Sequence, residues 1–278
     1  MVRIVSDTST LYSSAQAREA GFDVAPLSVT IAGKSYREFD EISPEAFVGL
    51  IDQGNLPTSS QPAVGEVAAL YQQYPEDEIL NISMAHGLSG TYNGAVAAAA
   101  MSDHADRITV INSRTLCGPH RYLVENAVKL ANQGLRAAEI AERTNALMDT
   151  GKSFLLPADF DYLRRGGRLS PMVSYVGKTI SLAPVMTQTE NGEQLALAGV
   201  RRGFVNAVKY VIKALEKWGV GEGWRIYVTH GHAPEKAEQA HKLLLEAFPT
   251  AEYEVLPLSP AFITQGGPSC VAIQVIHA

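Results

Sequence analysis

Residues 79–100 combine hydroxyl groups with a helix start in a way that suits an anionic ligand. An apolar, strand-like run at 79–83 leads through a glycine-containing loop into an alanine-rich helix. The first N–H groups of such a helix are unpaired, and the helix dipole adds positive potential beside them. Ser89 and Thr91 place hydroxyls on either side of Gly90 at this point. We therefore predict a small carboxylate or phosphate pocket here; the alternative is that Ser89 only caps the helix.

A second group of hydroxyls, Thr58, Ser59 and Ser60, lies between two prolines. Because proline keeps the residue before it extended, the segment is expected to be stiff. It runs into a predicted helix at 64–71. Hydroxyls in loops often bond nearby backbone, so the segment indicates either a binding loop or local backbone satisfaction.

Small polar residues also follow two predicted strands, at 6–10 and at 112–115. Ligands of open α/β sheets bind in the crevice outside the carboxyl ends of the strands. These clusters are therefore candidates for the same crevice. The alternative for the first cluster is that Asp7 or Ser9 caps the next helix.

Serine hydrolysis is an alternative chemistry for Ser89. The segment Gly87-Leu88-Ser89-Gly90 lies between a strand and a helix, where a nucleophile elbow is found. Candidate partners follow in the required chain order: Asp159 or Asp161, then His230 or His232. The fifth elbow position is Thr91 instead of glycine, which makes the strained elbow turn harder to form.

The sequence offers little support for metal or nucleotide chemistry. His230 and His232 are two residues apart and face one way in an extended chain, but two ligands do not make a metal site. Cys117 and Cys270 offer no obvious third ligand. No Gly-x-Gly-x-x-Gly motif or phosphate-loop lysine occurs. We expect neither a metal nor a cofactor.

Strands alternate with helices along the first half, which is typical of parallel βαβ units. The predicted strands lie at 2–5, 24–31, 79–83, 107–111 and 154–157, and the helices at 44–51, 64–71, 122–131 and 137–148. A short helix near 160–166 marks the change from the first predicted domain to the second. After it we predict a hairpin at 182–198, helices at 203–218 and 234–247, and strands at 225–229 and 271–276. We predict an α/β protein with two domains: an N-terminal parallel-sheet α/β domain, residues 1–158, and a C-terminal α/β domain with a mixed sheet, residues 159–278.

Composition narrows the class of protein further. Apolar residues make up 46% of the 278 residues and charged residues 19%, as in soluble globular proteins. A net charge of −6 argues against broad binding to nucleic acid. Two cysteines suit a reducing cytosol, and no signal peptide or apolar run long enough for a membrane span is seen. We expect a cytoplasmic protein without an integral membrane segment.

Several motifs, in order and spacing, resemble the DegV family of bacterial fatty-acid-binding proteins. The resemblance covers essentially the whole chain. It rests on these segments: Ser6-Asp7-Thr8, Thr58-Ser59-Ser60-Gln61-Pro62, Gly87-Leu88-Ser89-Gly90-Thr91-Tyr92, Leu163-Arg164-Arg165-Gly166-Gly167-Arg168, Leu182-Ala183-Pro184-Val185, Arg201 with Ala207, and Gly267-Pro268.

The resemblance implies a ligand tunnel between the two domains that holds one long-chain fatty acid. The carboxylate would lie near Ser59, Ser60 and Ser89, with Gly90 and Thr91 at the helix start. The resemblance also implies a non-catalytic protein that presents its ligand to a separate fatty acid kinase. The acyl phosphate formed by the kinase then enters phospholipid synthesis. A monomer is expected.

By the same resemblance, Arg168, Arg201 and Arg202 are candidates for contact with the head group or the kinase. The family commonly carries a histidine before Gly-Pro near the C-terminus, where this chain has Gln265. A glutamine can hydrogen-bond a carboxylate but cannot take a proton from it. Gln265 is therefore included among the predicted carboxylate-binding residues.

Overall fold

The computed structural model describes residues 1–171 and 182–278. The strands are β1 Val2–Asp7, β2 Asp23–Ala25, β3 Ser28–Ile31, β4 Lys34–Arg37, β5 Thr58–Ser60, β6 Glu78–Ser83, β7 Ile108–Asn112, β8 Lys152–Leu156, β9 Leu182–Gln188, β10 Leu195–Arg202, β11 Trp224–His230, β12 Glu252–Pro257 and β13 Val271–His277. The α-helices are α1 Ser14–Glu19, α2 Pro44–Asp52, α3 Val64–Gln72, α4 Thr91–Ala100, α5 Cys117–Asn132, α6 Ala137–Met148, α7 Phe160–Gly166, α8 Phe204–Lys217, α9 Pro234–Ala247 and α10 Pro260–Gly266.

The first sheet has four parallel strands in the order β2-β1-β6-β7. Its central strands are buried on both faces, because helices cover each side. Apolar side chains of α5 and α6 pack with β1 and β6 on one face. Those of α3 and α4 pack on the other. The predicted parallel α/β arrangement of the N-terminal part is confirmed.

The second sheet has six strands in the order β10-β9-β8-β13-β11-β12. It is mixed: β11 and β12 are parallel, and the remaining neighbours are antiparallel. Helices α8 and α9 cover one face with their apolar stripes. The predicted hairpin is confirmed as β9 and β10, with Gly192 at a φ of 71° in its turn.

One strand was assigned to the wrong half. The predicted strand at 154–157 was expected to close the first half of the chain, but β8 pairs with β13 and β9 in the second sheet. The division into residues 1–158 and 159–278 stays a prediction.

A small antiparallel sheet, β4-β3-β5, was predicted only in part. A tight turn at Gly33-Lys34 into a further strand is expected from the sequence and is found between β3 and β4, but the strand β5 was missed. The predicted strand at 24–31 is two strands, β2 and β3, which belong to different sheets. Pro26 lies between them and has no N–H to donate to a ladder. The break matters for the site, because β5, which contains Ser59 and Ser60, pairs with β3.

Helix α5 joins the two large sheets. It contacts β1 in the first sheet and both β11 and β13 in the second. In the parts of the chain that the structure describes, no helix is long and apolar enough to cross a bilayer.

Candidate functional site

A cavity lies where the carboxyl ends of the first sheet meet one face of the second sheet. Its walls come from the loop after β6, from β5, from the face formed by β8, β9 and β13, and from α10. Most of the lining is apolar: Leu27, Met84, Leu88, Leu116, Phe154, Leu155, Leu163, Met186, Leu195, Leu258, Ala261, Phe262 and Ala272. The site therefore suits a ligand that is mainly hydrocarbon.

The cavity is far larger than a site for solvent. Its volume is about 200 Å³, whereas one water needs only roughly 15 Å³ by this measure, together with polar partners. A mainly apolar wall supplies few such partners. We infer that the cavity is shaped for an organic ligand.

One end of the cavity is rich in hydrogen-bond donors. Ser59, Ser60, Ser89, Gln265 and Arg168 all line it. Gln265 Nε2 donates to Ser59 Oγ at 3.0 Å, although 206 residues separate the two in the chain. Because that serine oxygen accepts from the amide, its own proton is available for a ligand.

The start of α4 forms the neighbouring wall. Ser89 Oγ accepts from Thr91 N at 3.3 Å and lies 2.8 Å from Thr91 Oγ1. Gly90 also lines the cavity, and a Cβ there would collide with Gln61 Oε1. Thr91 is not among the lining residues and acts through its contact with Ser89. The two predicted hydroxyl segments thus meet at one end of the cavity. The N-cap of α4 is Gly90, so the alternative that Ser89 caps the helix is wrong, although the Ser89 hydroxyl accepts from the N–H of Thr91.

The three arginines occupy different places. Arg168 lines the cavity and its Nε donates to Leu88 O at 3.2 Å, which ties it to the loop before α4. Arg201 lies 3.9 Å above the ring of Tyr210 and donates to the neighbouring Val200 O. Arg202 is exposed on β10, an edge strand, and neither it nor Arg201 is among the lining residues. Only Arg168 is positioned for a ligand in this cavity.

The geometry at Ser89 differs from that of a hydrolase nucleophile. An elbow serine occupies a strained turn beside a histidine. Ser89 is not among the residues with a positive φ, and within the described residues its hydroxyl bonds only Thr91. His230 Nδ1 accepts from Ala233 N at 3.1 Å, away from Ser89. Asp159 caps α7 by accepting from Asp161 N. Among residues 1–171 and 182–278, no histidine or carboxylate bonds the Ser89 hydroxyl, as a hydrolase nucleophile requires.

The polar cluster after β1 has a structural role. Asp7 accepts from Ser9 N and from Met84 N, and it is buried. His120 is also buried, and burial lowers its pKa. Since Ile82 O only accepts, His120 Nε2 carries the hydrogen at 3.0 Å, and Nδ1 accepts from Ser9 Oγ at 2.6 Å. These groups satisfy one another's hydrogen bonds. Asp7 caps the short 3-10 helix that follows it, so the alternative reading of this cluster, as a helix cap, is confirmed.

The two histidines of the Thr229–His232 segment belong to no metal site in the part of the chain that the structure describes. Among the described residues, no group of three or more potential ligands of the His, Cys, Asp and Glu types is close enough to hold an ion. Both cysteines are buried and free, and burial raises the pKa of each thiol.

Glu38 is a buried carboxyl that sequence reasoning missed, and it connects Thr8, which directly follows β1, to the helix that carries Gln265. One carboxylate oxygen accepts from Thr8 Oγ1 at 2.5 Å, and the other accepts from Ala261 N at 2.8 Å. The side chain is fully buried, and burial raises the pKa of Glu38 to about 7. Because Ala261 lines the cavity, Glu38 fixes the start of α10 beside the site.

We expect Glu38 to make the free energy of unfolding decrease as the pH rises from about 4.5 to 7. Its folded pKa lies above the ordinary 4.5, so the folded protein holds this proton more tightly than the unfolded chain does. The group's contribution is greatest below about pH 4.5 and declines, by on the order of 3 kcal/mol, until the pH passes 7. Glu38→Gln cannot ionise and should show a smaller decline in urea unfolding across this range. Parallel pH profiles for the two proteins would refute the expectation.

Sequence reasoning also missed three polar residues at the other end of the cavity: Ser153, Gln188 and Gln274. Gln274 interrupts the otherwise apolar run at 271–276 and is 1% exposed. The sequence did carry a signal for Gln274, since it is the one amide in an apolar strand. A buried amide needs hydrogen-bond partners, so such a residue indicates a polar contact inside the protein.

Known proteins resemble this chain along its whole length. A family model described as "Uncharacterised protein, DegV family" matches residues 1–278. A DegV domain-containing protein of Staphylococcus aureus strain N315 is 29% identical over 276 residues, which are 98% of each chain.

Solved structures share the fold. A DegV family protein from Thermus thermophilus, described by its fatty acid binding, has a TM-score of 0.90 and 24% identity, covering 100% of this chain and 99% of its own. A stearic acid-binding protein from Eubacterium ventriosum has a TM-score of 0.87 and 21% identity, covering 100% and 98%. The α/β class with a parallel and a mixed sheet is confirmed. Since the family model spans every residue, this chain belongs to the DegV family.

Proposed function

We propose that this protein binds a long-chain fatty acid in the cavity between its two large sheets. The observation that carries the proposal is the cavity's division into an apolar wall and one end lined by hydroxyls, an amide and Arg168. The Thermus and Eubacterium proteins of the same fold are described as binding fatty acids. A fatty acid has the same division between hydrocarbon and carboxylate.

The carboxylate is proposed to bind at Ser59, Ser60 and Ser89, beside Gly90 at the start of α4. A buried carboxylate is costly unless it accepts hydrogen bonds, and hydroxyls and N–H groups of the helix start supply them. Gln265 orients Ser59 in this arrangement, and Arg168 adds positive charge. Thr91 fixes the Ser89 hydroxyl.

The acyl chain is proposed to be held by burial alone. Each CH₂ removed from water contributes about 0.8 kcal/mol, so a chain of roughly 16 carbons contributes on the order of 10 kcal/mol before ordering costs. Such a ligand should survive purification. The apolar wall comes from both halves of the chain, so the halves close around the ligand together.

We also propose that the bound carboxylate is presented to a fatty acid kinase and that this chain performs no catalysis alone. Ser60 is exposed and Ser59 is half-buried, so the head-group end lies near the surface, where a partner enzyme can reach it. Hydrogen bonds from hydroxyls leave a carboxylate oxygen with a free lone pair, which can attack the γ-phosphorus of ATP and release ADP. Arg201 and Arg202 lie outside the cavity lining, so in this proposal they are candidates for contact with the kinase.

We expect denaturing extraction of the purified protein to release a near-stoichiometric fatty acid of roughly 14 to 18 carbons, detected by mass spectrometry. Leu155→Glu puts a charge into the apolar wall and should empty the extract. Leu245→Glu, at a position 44% exposed on α9, is the matched control and should retain the lipid. Incubating the loaded protein with ATP and a bacterial fatty acid kinase should form acyl phosphate.

An empty wild-type extract, repeated after incubation with fatty acids, would overturn the binding proposal. Lipid in the extract without acyl phosphate formation would overturn only the kinase step. Labelling by a fluorophosphonate that is lost in Ser89→Ala would instead favour a hydrolase.

A further inference from the structure

A row of polar side chains crosses the sheet at the end of the cavity farther from the serines. Gln274 on β13 pairs in register with Ser153 on β8. The β8–β9 register, in which Phe154 pairs with Thr187, places Gln188 of β9 beside Ser153 in turn. All three side chains of the row line the cavity. We call Gln188, Ser153 and Gln274 the polar row.

The next row on the same face is apolar. It consists of Met186, Leu155 and Ala272, which are paired across the same three strands. Successive side chains on one face of a strand are two residues apart, so the wall changes from apolar to polar in one step. The apolar part of the cavity therefore ends at the polar row.

The amides of the polar row are already bonded within the protein. Gln274 Nε2 donates to Leu116 O at 3.0 Å and to Ser153 Oγ at 2.9 Å. Gln274 Oε1 accepts from Gly118 N at 3.3 Å. Gln188 Nε2 donates to Arg114 O at 3.2 Å. These bonds tie the row to residues 114–118, the segment that leads into α5 and covers this end.

The two polar ends of the cavity thus differ in kind. At the serine end, Ser59 accepts from Gln265, and Arg168 and the start of α4 add positive potential. At the polar row, both donors and the acceptor of the Gln274 amide are occupied, and one of the donors binds Ser153. Arg168 is the one cation among the described lining residues, and it lies at the serine end. An end of the first kind suits a carboxylate, and an end of the second kind suits a terminal methyl group that needs no partner.

We propose that the polar row is the stop that sets the length of the acyl chain. The inference rests on the proposed fatty acid binding and adds the residues that select among fatty acids. A tail longer than the cavity must displace a buried amide from its partners. That displacement costs more than one further buried CH₂ gains, so affinity falls once the chain passes the row.

Gln188 is the part of the stop that borders the surface. Together with Ser153 and Thr187 it lines both the cavity and a second, open groove, which also includes Lys152 and Trp218. Removing the Gln188 side chain should connect the two spaces. A longer tail can then extend into the groove.

The test is the affinity of delipidated protein for saturated fatty acids of increasing length, measured by displacement of a fluorescent fatty acid. Ser153→Leu adds bulk at the row and should shorten the preferred chain by about two carbons, which lowers the affinity for the longer acid roughly tenfold relative to the shorter. Gln188→Ala should raise the relative affinity of longer chains several-fold. Gln72→Ala, exposed on α3, is the matched control and should leave the profile unchanged.

Unchanged length profiles in Ser153→Leu and Gln188→Ala, with fatty acids still bound, would overturn the stop alone. Wild-type protein that binds no fatty acid of any length would overturn the proposed function and the stop with it. If Ser153→Leu does not fold, Gln188→Ala decides, because its half-exposed side chain can be removed without opening the core.

Discussion

Replacing Gly118 by alanine should lower the free energy of unfolding by about 3 kcal/mol. A Cβ at this position would lie within 2.5 Å of three atoms of Tyr227, among them its Cβ and Cγ. Tyr227 is 0% exposed and its Cβ is fixed to β11, so the ring cannot swing away. Protein interiors are packed too closely to absorb such an overlap without moving the helix or the strand.

Urea unfolding of Gly118→Ala and wild type measures the effect. Gly65→Ala is the matched control, because Gly65 lies in the first turn of α3 and has open space where a Cβ would be. In a helix, that change should be neutral or stabilise by up to about 1 kcal/mol. Equal, small shifts for the two variants would show that α5 does not need its close approach to β11.

The close approach at Gly118 matters for the site as well as for stability. Gly118 opens α5, the helix that contacts both large sheets, and its N–H donates to Gln274 in the polar row. Forcing α5 away from Tyr227 would therefore disturb the end of the cavity. A single glycine allows the helix to join the halves and to close the site.

Local patterns predicted the elements whose signals lie within a few residues. The prediction for α9 matched at both ends, since Pro234 marks its start and its apolar residues recur at helical spacing. The short helix predicted near 160–166 is α7, and Gly167 ends it in the left-handed conformation, with a φ of 73°. Sheet membership was harder. The composition of β8 suits either sheet, and only its pairing with β13, more than 100 residues later, decides.

The same distinction between local and long-range signals applies to the residues of the site. Hydroxyls beside a helix start form a local pattern, so Ser89 and Ser59 were found from the sequence and both line the cavity. Glu38 was missed because its importance comes from Ala261, 223 residues away, and from complete burial. Arg201 looked equivalent to Arg168 as an isolated cation, but Tyr210 holds it away from the cavity. Roles that depend on long-range contact need the tertiary structure.

Replacing both Ser59 and Ser89 by alanine should weaken fatty acid binding by several hundredfold. A hydrogen bond to a charged group is worth about 1.5–3 kcal/mol, so two of them contribute about 3–6 kcal/mol. A factor of ten in affinity is about 1.4 kcal/mol. Both hydroxyls lie in the cavity lining, so the double variant removes two groups that can donate to the carboxylate.

Titration of the delipidated double variant with a fatty acid and with the matching fatty alcohol separates the head group from the chain. The alcohol carries no charge, so its affinity should fall far less than that of the acid. Acids of every chain length should lose affinity by the same factor, because the double variant does not change the polar row, where the methyl end of the ligand lies. Ser35→Ala, on exposed β4, should leave both ligands unaffected. Equal losses for acid and alcohol would place the carboxylate elsewhere, and a length-dependent loss would reverse the orientation proposed for the ligand.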